Sequence, residues 1–97
     1  MDPDLPEPEC MIADVVSPTA GREAGKLYYV VGLDEDYYLL ANGKDRSLEK
    51  PKRKKRKHAT KVLRSETRVA EKLRAGDKVL DSELRRDLAY LSKTNGG

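Results

Sequence analysis

The fold is decided by seven consecutive residues, Leu27-Tyr28-Tyr29-Val30-Val31-Gly32-Leu33. Aromatic and β-branched residues dominate them, which predicts a strand. In a strand, alternate side chains point to opposite faces, and here both faces are apolar. One face therefore fills an interior, and the other requires a cover or a ligand.

The segments on either side continue the β pattern. A short strand ending at Val15-Val16 precedes the central one, and Asp34-Glu35-Asp36 is too charged to extend it. Tyr37–Ala41 predicts a third strand, and Asn42-Gly43 predicts a tight hairpin. Residues 45–48 are then expected to return as a fourth strand, and residues 58–62 as a fifth. Short consecutive strands without long crossovers pair antiparallel, which favours a small curved sheet or barrel.

Two short helices are predicted to follow. Ser65 is expected to cap a helix over 66–75 that Gly76 ends, and Asp81 or Ser82 to cap a second over 82–91. Leu84, Leu88 and Leu91 form one apolar stripe on the second helix. Because short helices do not persist alone in water, we expect these two to pack on each other, on the barrel or on a partner.

The predicted organisation is mainly β with an α appendage. Residues 1–10 are assigned to a flexible acidic leader and 11–62 to the barrel, which includes the basic segment 51–61. Residues 63–92 form the two-helix extension, and 93–97 a flexible tail.

Composition excludes several functional classes. A chain of 97 residues without Phe or Trp builds only a modest core, so a large cofactor pocket is not expected. One Cys and one His provide neither a disulfide framework nor a zinc site. With no apolar run of bilayer length and no signal-peptide pattern, we expect a cytoplasmic protein that is not an enzyme, has no cofactor or metal, and does not associate with membranes.

The positive charge is concentrated in one segment. Residues 51–61 hold seven of the 20 basic residues and no acid, whereas the whole chain has a net charge of only +3. Such a run favours a polyanion, because binding releases the polyanion's condensed counterions. The same run is also typical of a nuclear localisation signal, which leaves nuclear import as an alternative.

A second basic feature lies just before the central strand. Gly21-Arg22-Glu23-Ala24-Gly25-Lys26 places two bases and two glycines in one turn. Glycine lets the backbone approach a neighbouring molecule closely, so this turn could grip a phosphate backbone. An ordinary solvated turn is the alternative.

The stretch Asp14-Val15-Val16, Ala20–Lys26 and Leu27–Leu33 resembles a KOW motif. With Ala41-Asn42-Gly43, the Pro-Lys-Arg-Lys run and Lys57-His58, it is similar to small bacterial KOW-domain RNA-binding proteins. These are related to KOW ribosomal proteins of the archaeal and eukaryotic large subunit. The resemblance covers roughly residues 12–62. It implies an SH3-like barrel that binds ribosomal RNA, with Gly25 as the motif glycine, Lys26 as its basic follower and Arg22 in the RNA-facing loop.

The predicted function is therefore non-catalytic binding to structured RNA, with ribosomal RNA of the large subunit as the expected partner. A protein-interaction module that docks through helices 66–75 and 82–91 and carries a localisation signal is the alternative. The candidate RNA-binding residues come from the turn, the hairpin and the basic run: Arg22, Gly25, Lys26, Lys44, Arg46, Lys52, Arg53, Lys54, Lys55, Arg56, Lys57, His58 and Lys61. Tyrosines 28, 29, 37 and 38 are expected to fill the core more often than to stack on bases.

Overall fold

The computed structural model describes residues 10–95. It contains five strands, β1 (Asp14–Pro18), β2 (Tyr28–Asp34), β3 (Tyr37–Ala41), β4 (Lys52–Lys55) and β5 (Ala59–Arg64), and two helices, α1 (Arg68–Ala75) and α2 (Asp81–Asn95). A single 3-10 turn, Arg56–His58, joins β4 to β5. Residues 1–9 of the predicted leader and residues 96–97 of the tail lie outside this range, and Cys10 is buried.

All four strand pairs are antiparallel, as predicted, in the order β4-β3-β2-β1-β5. Across a flat five-stranded sheet the outer strands would be about 19 Å apart. The four residue-to-residue steps from Lys55 to Ala59 span at most about 14 Å. The sheet must therefore curl so that its outer strands approach, although β4 and β5 are not neighbours in the hydrogen-bonded order and the sheet is not a closed barrel.

The prediction of a fourth strand over residues 45–48 is wrong. The Asn42 side-chain oxygen accepts hydrogen bonds from the backbone N–H groups of residues 44, 45 and 46. This compact loop keeps those donors from forming a ladder, and the chain returns to β3 only at Lys52. The basic run itself is therefore the fourth strand, at an edge where charged side chains reach water.

The central strand contributes to two apolar clusters, one on each face. The inner cluster contains Tyr28, Val30, Tyr38 and Leu40, together with Cys10 and Val16. No helix residue belongs to this cluster, so the curled sheet and the chain around it bury it. On the other face, Val15 and Tyr29 pack against Ala70 of α1 and the Leu84, Leu88 and Leu91 stripe of α2. The helices thus cover part of the sheet, and both faces of β2 are buried from Tyr28 to Val30. The prediction does not hold at the far end of the strand, where Leu33 is exposed.

Both helices begin differently from the prediction. Thr67, not Ser65, caps α1 by accepting a hydrogen bond from Ala70 N at 3.2 Å. At α2, Glu83 Oε2 accepts from Leu80 N at 3.1 Å, while Asp81 Oδ1 accepts from Leu48 N at 2.8 Å. Asp81 therefore ties the start of α2 to the loop between β3 and β4. Gly76 ends α1 in the left-handed conformation, as predicted, and α2 continues past residue 91 to Asn95.

A polar network under the helices holds the layers together. The Tyr29 hydroxyl donates to the Asp87 carboxylate and lies 2.8 Å from Ser65 Oγ. Thr67 Oγ1 donates to the same carboxylate at 2.8 Å. Burial, followed by the hydrogen bond to Asp87, raises the pKa of Tyr29 to about 12, so the phenol stays protonated and able to donate. One tyrosine thus connects β2 to both helices.

The neighbouring tyrosine provides a matched comparison, because the buried Tyr28 hydroxyl has no hydrogen-bond partner among residues 10–95. We expect Tyr29→Phe to lower the free energy of unfolding by about 2 kcal/mol, since it removes a donor from the Asp87 carboxylate. Tyr28→Phe removes an unsatisfied polar atom and should raise stability by up to about 1 kcal/mol. Urea denaturation followed by circular dichroism measures both. Equal losses for the two variants would contradict the assigned network.

Candidate nucleic-acid interface

The basic run forms one ordered surface, the basic strip, which comprises β4 and the 3-10 turn (Lys52–His58). β4 pairs with β3 residue by residue, from Leu40 opposite Lys52 to Tyr37 opposite Lys55. Directly opposed residues share a face of the sheet. Lys52 and Lys54 therefore lie on the side of the inner cluster, and Arg53 and Lys55 on the side of Tyr37. The strip presents cations on both faces of a sheet edge.

Part of this charge is balanced by acids of the same chain. Lys52 Nζ lies 3.5 Å from Glu23 Oε1, and Arg53 Nε lies 3.1 Å from Asp34 Oδ2. Ion pairs this close to water contribute little, typically below about 1 kcal/mol, so a phosphate can displace them. Lys54, Lys55 and Lys57 form no ion pair with any residue in the described range 10–95. The strip keeps an excess of positive charge.

Tyr37 supports two of these cations. The Arg53 guanidinium carbon lies 3.8 Å from the centre of the Tyr37 ring, and Lys55 Nζ lies 6.0 Å from it. The negative face of an aromatic ring attracts a cation and holds a guanidinium flat. The other three tyrosines of the strands are buried, as expected of core residues. Tyr37 differs from them because its ring contacts cations of the strip. The adjacent tyrosine pairs in the sequence do not reveal which of the four tyrosines has this role.

The predicted basic turn (Gly21–Lys26) lies beside the strip. Gly21 and Gly25 both adopt φ of +86°, which glycine tolerates best. Glu23 reaches Lys52 of the strip, and its pKa is lowered by a backbone hydrogen bond and then by the Lys52 and Lys54 charges. Arg22 is exposed. The turn thus connects to β4 through Glu23.

The same turn also reaches the hairpin loop (Asn42–Arg46). Lys26 Nζ donates to Asp45 Oδ2 at 3.1 Å. This bond lowers the pKa of the Asp45 carboxyl and raises that of Lys26, so both stay charged near neutrality. Lys44 is exposed, whereas Arg46 is half-buried and its carbonyl accepts from Asn42 N and Gly43 N. The turn therefore connects the hairpin loop to the strip, and the predicted residues of these three segments form one arc.

The remaining two predicted residues lie at the far end of the strip. His58 is exposed, and its carbonyl accepts from Thr19 N at 3.0 Å. Lys61 on β5 lies 3.4 Å from the buried carboxylate of Asp14. Lys61 therefore forms an ion pair with a buried residue of β1, unlike the lysines of the strip.

One basic residue near the arc was missed by the sequence analysis. Arg85 of α2 donates to the carbonyl of Gly43 at 3.2 Å, which places it against the hairpin loop. The Leu84, Leu88 and Leu91 stripe fixes which side of α2 is buried, and residues 85, 89 and 92 follow directly beside it. The stripe does not reveal which loop lies along that flank, so Arg85 could not be assigned.

No helix in the described range is long and apolar enough to cross a bilayer. No protein-family model matches the chain, and a search of curated proteins also finds no match.

Proposed function

We propose that this chain is a non-catalytic RNA-binding protein that docks on structured RNA, namely ribosomal RNA of the large subunit. The observation that carries the proposal is the basic strip, in which six consecutive bases and His58 are held in a paired edge strand and a 3-10 turn. Phosphate contacts from such a surface position a protein on RNA without reading its sequence.

Electrostatics supports a polyanionic partner. Like charges aligned on one strand repel each other, and the acids that face them are too few to neutralise the strip. Phosphates of an RNA backbone supply negative charge in a row, and their binding releases counterions. The basic turn and hairpin loop extend the same surface.

The fold is consistent with an SH3-like barrel of the KOW type, which is the second part of the proposal. The strand order β4-β3-β2-β1-β5 and the short link between the outer strands give a strongly curled meander. Gly25 and Lys26 lie before β2 and are separated from it only by Leu27, which is where the resemblance places the motif glycine and its basic follower.

The ordered conformation of the basic run supports an RNA-docking role over the alternative of a nuclear import signal. A nuclear import signal is usually read from a flexible exposed segment. Here Lys52–Lys55 pair with β3, and Arg56 N donates to Asp36 O at 2.9 Å. This arrangement favours RNA docking in the cytoplasm over import.

Salt dependence provides the first test. If about six phosphates are contacted, the logarithm of the association constant should fall with the logarithm of salt concentration at a slope of about −4 to −5. Filter binding of the purified protein to ribosomal RNA between 50 and 300 mM salt measures this slope. Binding that ignores salt, or no binding at low salt, would overturn the proposal.

Two controls identify the partner class. If the protein recognises only phosphate charge, duplex DNA will compete with RNA for binding at equal salt concentration. Capture from a lysate with and without nuclease tests the protein-interaction alternative, because an RNA-mediated complex is lost on digestion and a direct protein partner is retained. Co-migration with the large ribosomal subunit at low salt, lost at high salt, is the expected result in a sucrose gradient.

A further inference from the structure

A cleft of about 330 Å³ lies where the basic turn and the hairpin loop meet α2. Its lining includes Gly25, Lys26 and Lys44 from the loops and Arg85, Ala89 and Ser92 from the helix. Three of these residues belong to the RNA-binding set predicted from sequence, and the other three come from a helix to which the KOW resemblance does not extend. The cleft is therefore a place where the helical extension meets the proposed RNA surface.

The charge of the cleft favours an anion. Lys26, Lys44 and Arg85 line it, against a single carboxylate, that of Asp45, which Lys26 already binds. Asp45 is exposed, and its ion pair with Lys26 is therefore weak enough for a phosphate to compete with. Two cations of the lining remain without an acidic partner among residues 10–95.

Arg85 is held in a position to contribute. One guanidinium nitrogen donates to Gly43 O, and no other hydrogen bond of this side chain is found within the described part of the chain. A guanidinium has five N–H donors in a rigid planar fork that matches the oxygens of a phosphate. The bond to Gly43 fixes the fork at the cleft and leaves donors available.

The remaining surface of the cleft suits a sugar and a closely approaching chain. Leu27, Leu88 and Ala89 supply apolar contacts, and the Ser92 hydroxyl can donate or accept a hydrogen bond. A Cβ placed on Gly25 would meet nothing within 4 Å, so this side of the cleft is open. The volume is at the low end for small-molecule sites, which suits one nucleotide unit of a longer strand.

We infer that this cleft binds one phosphate and its ribose within the RNA strand, and that α2 contributes Arg85 as a phosphate-binding residue. The inference rests on the proposed RNA-binding function. It gives the helical extension a direct part in recognition, in addition to its packing on the sheet.

Ala89 provides a test that leaves the Arg85–Gly43 hydrogen bond in place. Ala89 is exposed on the helix, so Ala89→Glu and Ala89→Gln add side chains of the same size to the cleft wall and differ in charge. We expect Ala89→Glu to weaken binding to large-subunit ribosomal RNA at least tenfold at 0.1 M salt, and Ala89→Gln to weaken it by less than threefold. Equal effects of the two variants would overturn the inference.

Arg85 is tested beside its neighbour Arg86, which is also exposed but lines a different groove, between α1 and α2. Loss of one phosphate contact corresponds to about an eightfold weaker association at 0.1 M salt and to a salt slope shallower by about 1. Arg85→Gln should show both changes and Arg86→Gln neither, with unchanged thermal midpoints as the control for folding.

In the wild type, amide signals of Gly25, Lys44 and Ala89 should shift together when RNA is added in NMR titrations.

The outcomes separate this inference from the proposed function. If variants of the basic strip lose RNA affinity while the Arg85 and Ala89 variants bind like their controls, the cleft assignment fails and the RNA-binding function stands. If the wild-type protein binds no RNA at low salt, both fail.

Discussion

Replacement of Gly43 by alanine is expected to lower the free energy of unfolding by about 3–5 kcal/mol. Gly43 adopts φ of +76°, and a Cβ at this position would lie 2.1 Å from the carbonyl oxygen of Asp81. The left-handed conformation costs an alanine about 1–2 kcal/mol, and overpacking typically adds about 1–3 kcal/mol. The obstacle is helix backbone, which cannot turn aside as a flexible side chain can.

Gly76 is the matched control for this prediction. Its φ of +77° is nearly the same, but a Cβ there would meet nothing within 4 Å. Gly76→Ala should therefore show the conformational cost alone, about 1–2 kcal/mol. Urea denaturation followed at 222 nm compares the two variants. Similar losses would mean that the contact between the hairpin loop and α2 does not constrain the fold.

The largest effect on binding is expected from three lysines of the basic strip. Lys54, Lys55 and Lys57 are the strip lysines that form no ion pair within residues 10–95, so their charge is available to the proposed RNA partner. Replacing all three by Gln should make the salt slope shallower by about 2–3 and weaken association about 100- to 500-fold at 0.1 M salt. Filter binding to ribosomal RNA across a salt series measures both quantities.

The control carries the same change of charge on the helices. Arg68, Arg86 and Lys93 are exposed, and their replacement by Gln also removes three positive charges. Because net charge alone acts weakly through screening salt, this variant should bind within about threefold of the wild type. If both triple variants weaken binding equally, the affinity for RNA depends on the overall charge of the protein, and the basic strip is not the binding surface.

Local sequence signals predicted several elements correctly. The β3 boundaries, Tyr37–Ala41, and the Gly76 helix end are as predicted, because aromatic strand residues and a left-handed glycine act within a few positions. The strand predicted over residues 45–48 failed for the opposite reason. The side chain of Asn42 accepts hydrogen bonds from three backbone N–H groups, which are then not available for strand pairing. The lysine-rich run forms the edge strand instead, although lysine has a low intrinsic preference for strands.

The candidate site divides in the same way. The residues of the strip, the turn and the hairpin loop could be chosen from charge and glycine spacing alone. The packing of the curled sheet and α2 decides the contacts between these segments. It allows Glu23 and Asp45 to join them and places Arg85 beside them. Charge patterns carry no information about such long-range placement.

The position of β1 has a consequence for how the chain reaches its native state. This strand is the first in residues 10–95, yet it lies between β2 and β5 and pairs from Pro18 opposite Ala59 to Asp14 opposite Arg64. Pairings between residues so distant in sequence form slowly compared with hairpins and helices. During synthesis, about forty further residues must follow β1 before its second neighbour exists. Until then one side of β1 remains an open template for intermolecular strand pairing. Of the three described strands that have two neighbours, β1 is made first and gains its second neighbour last.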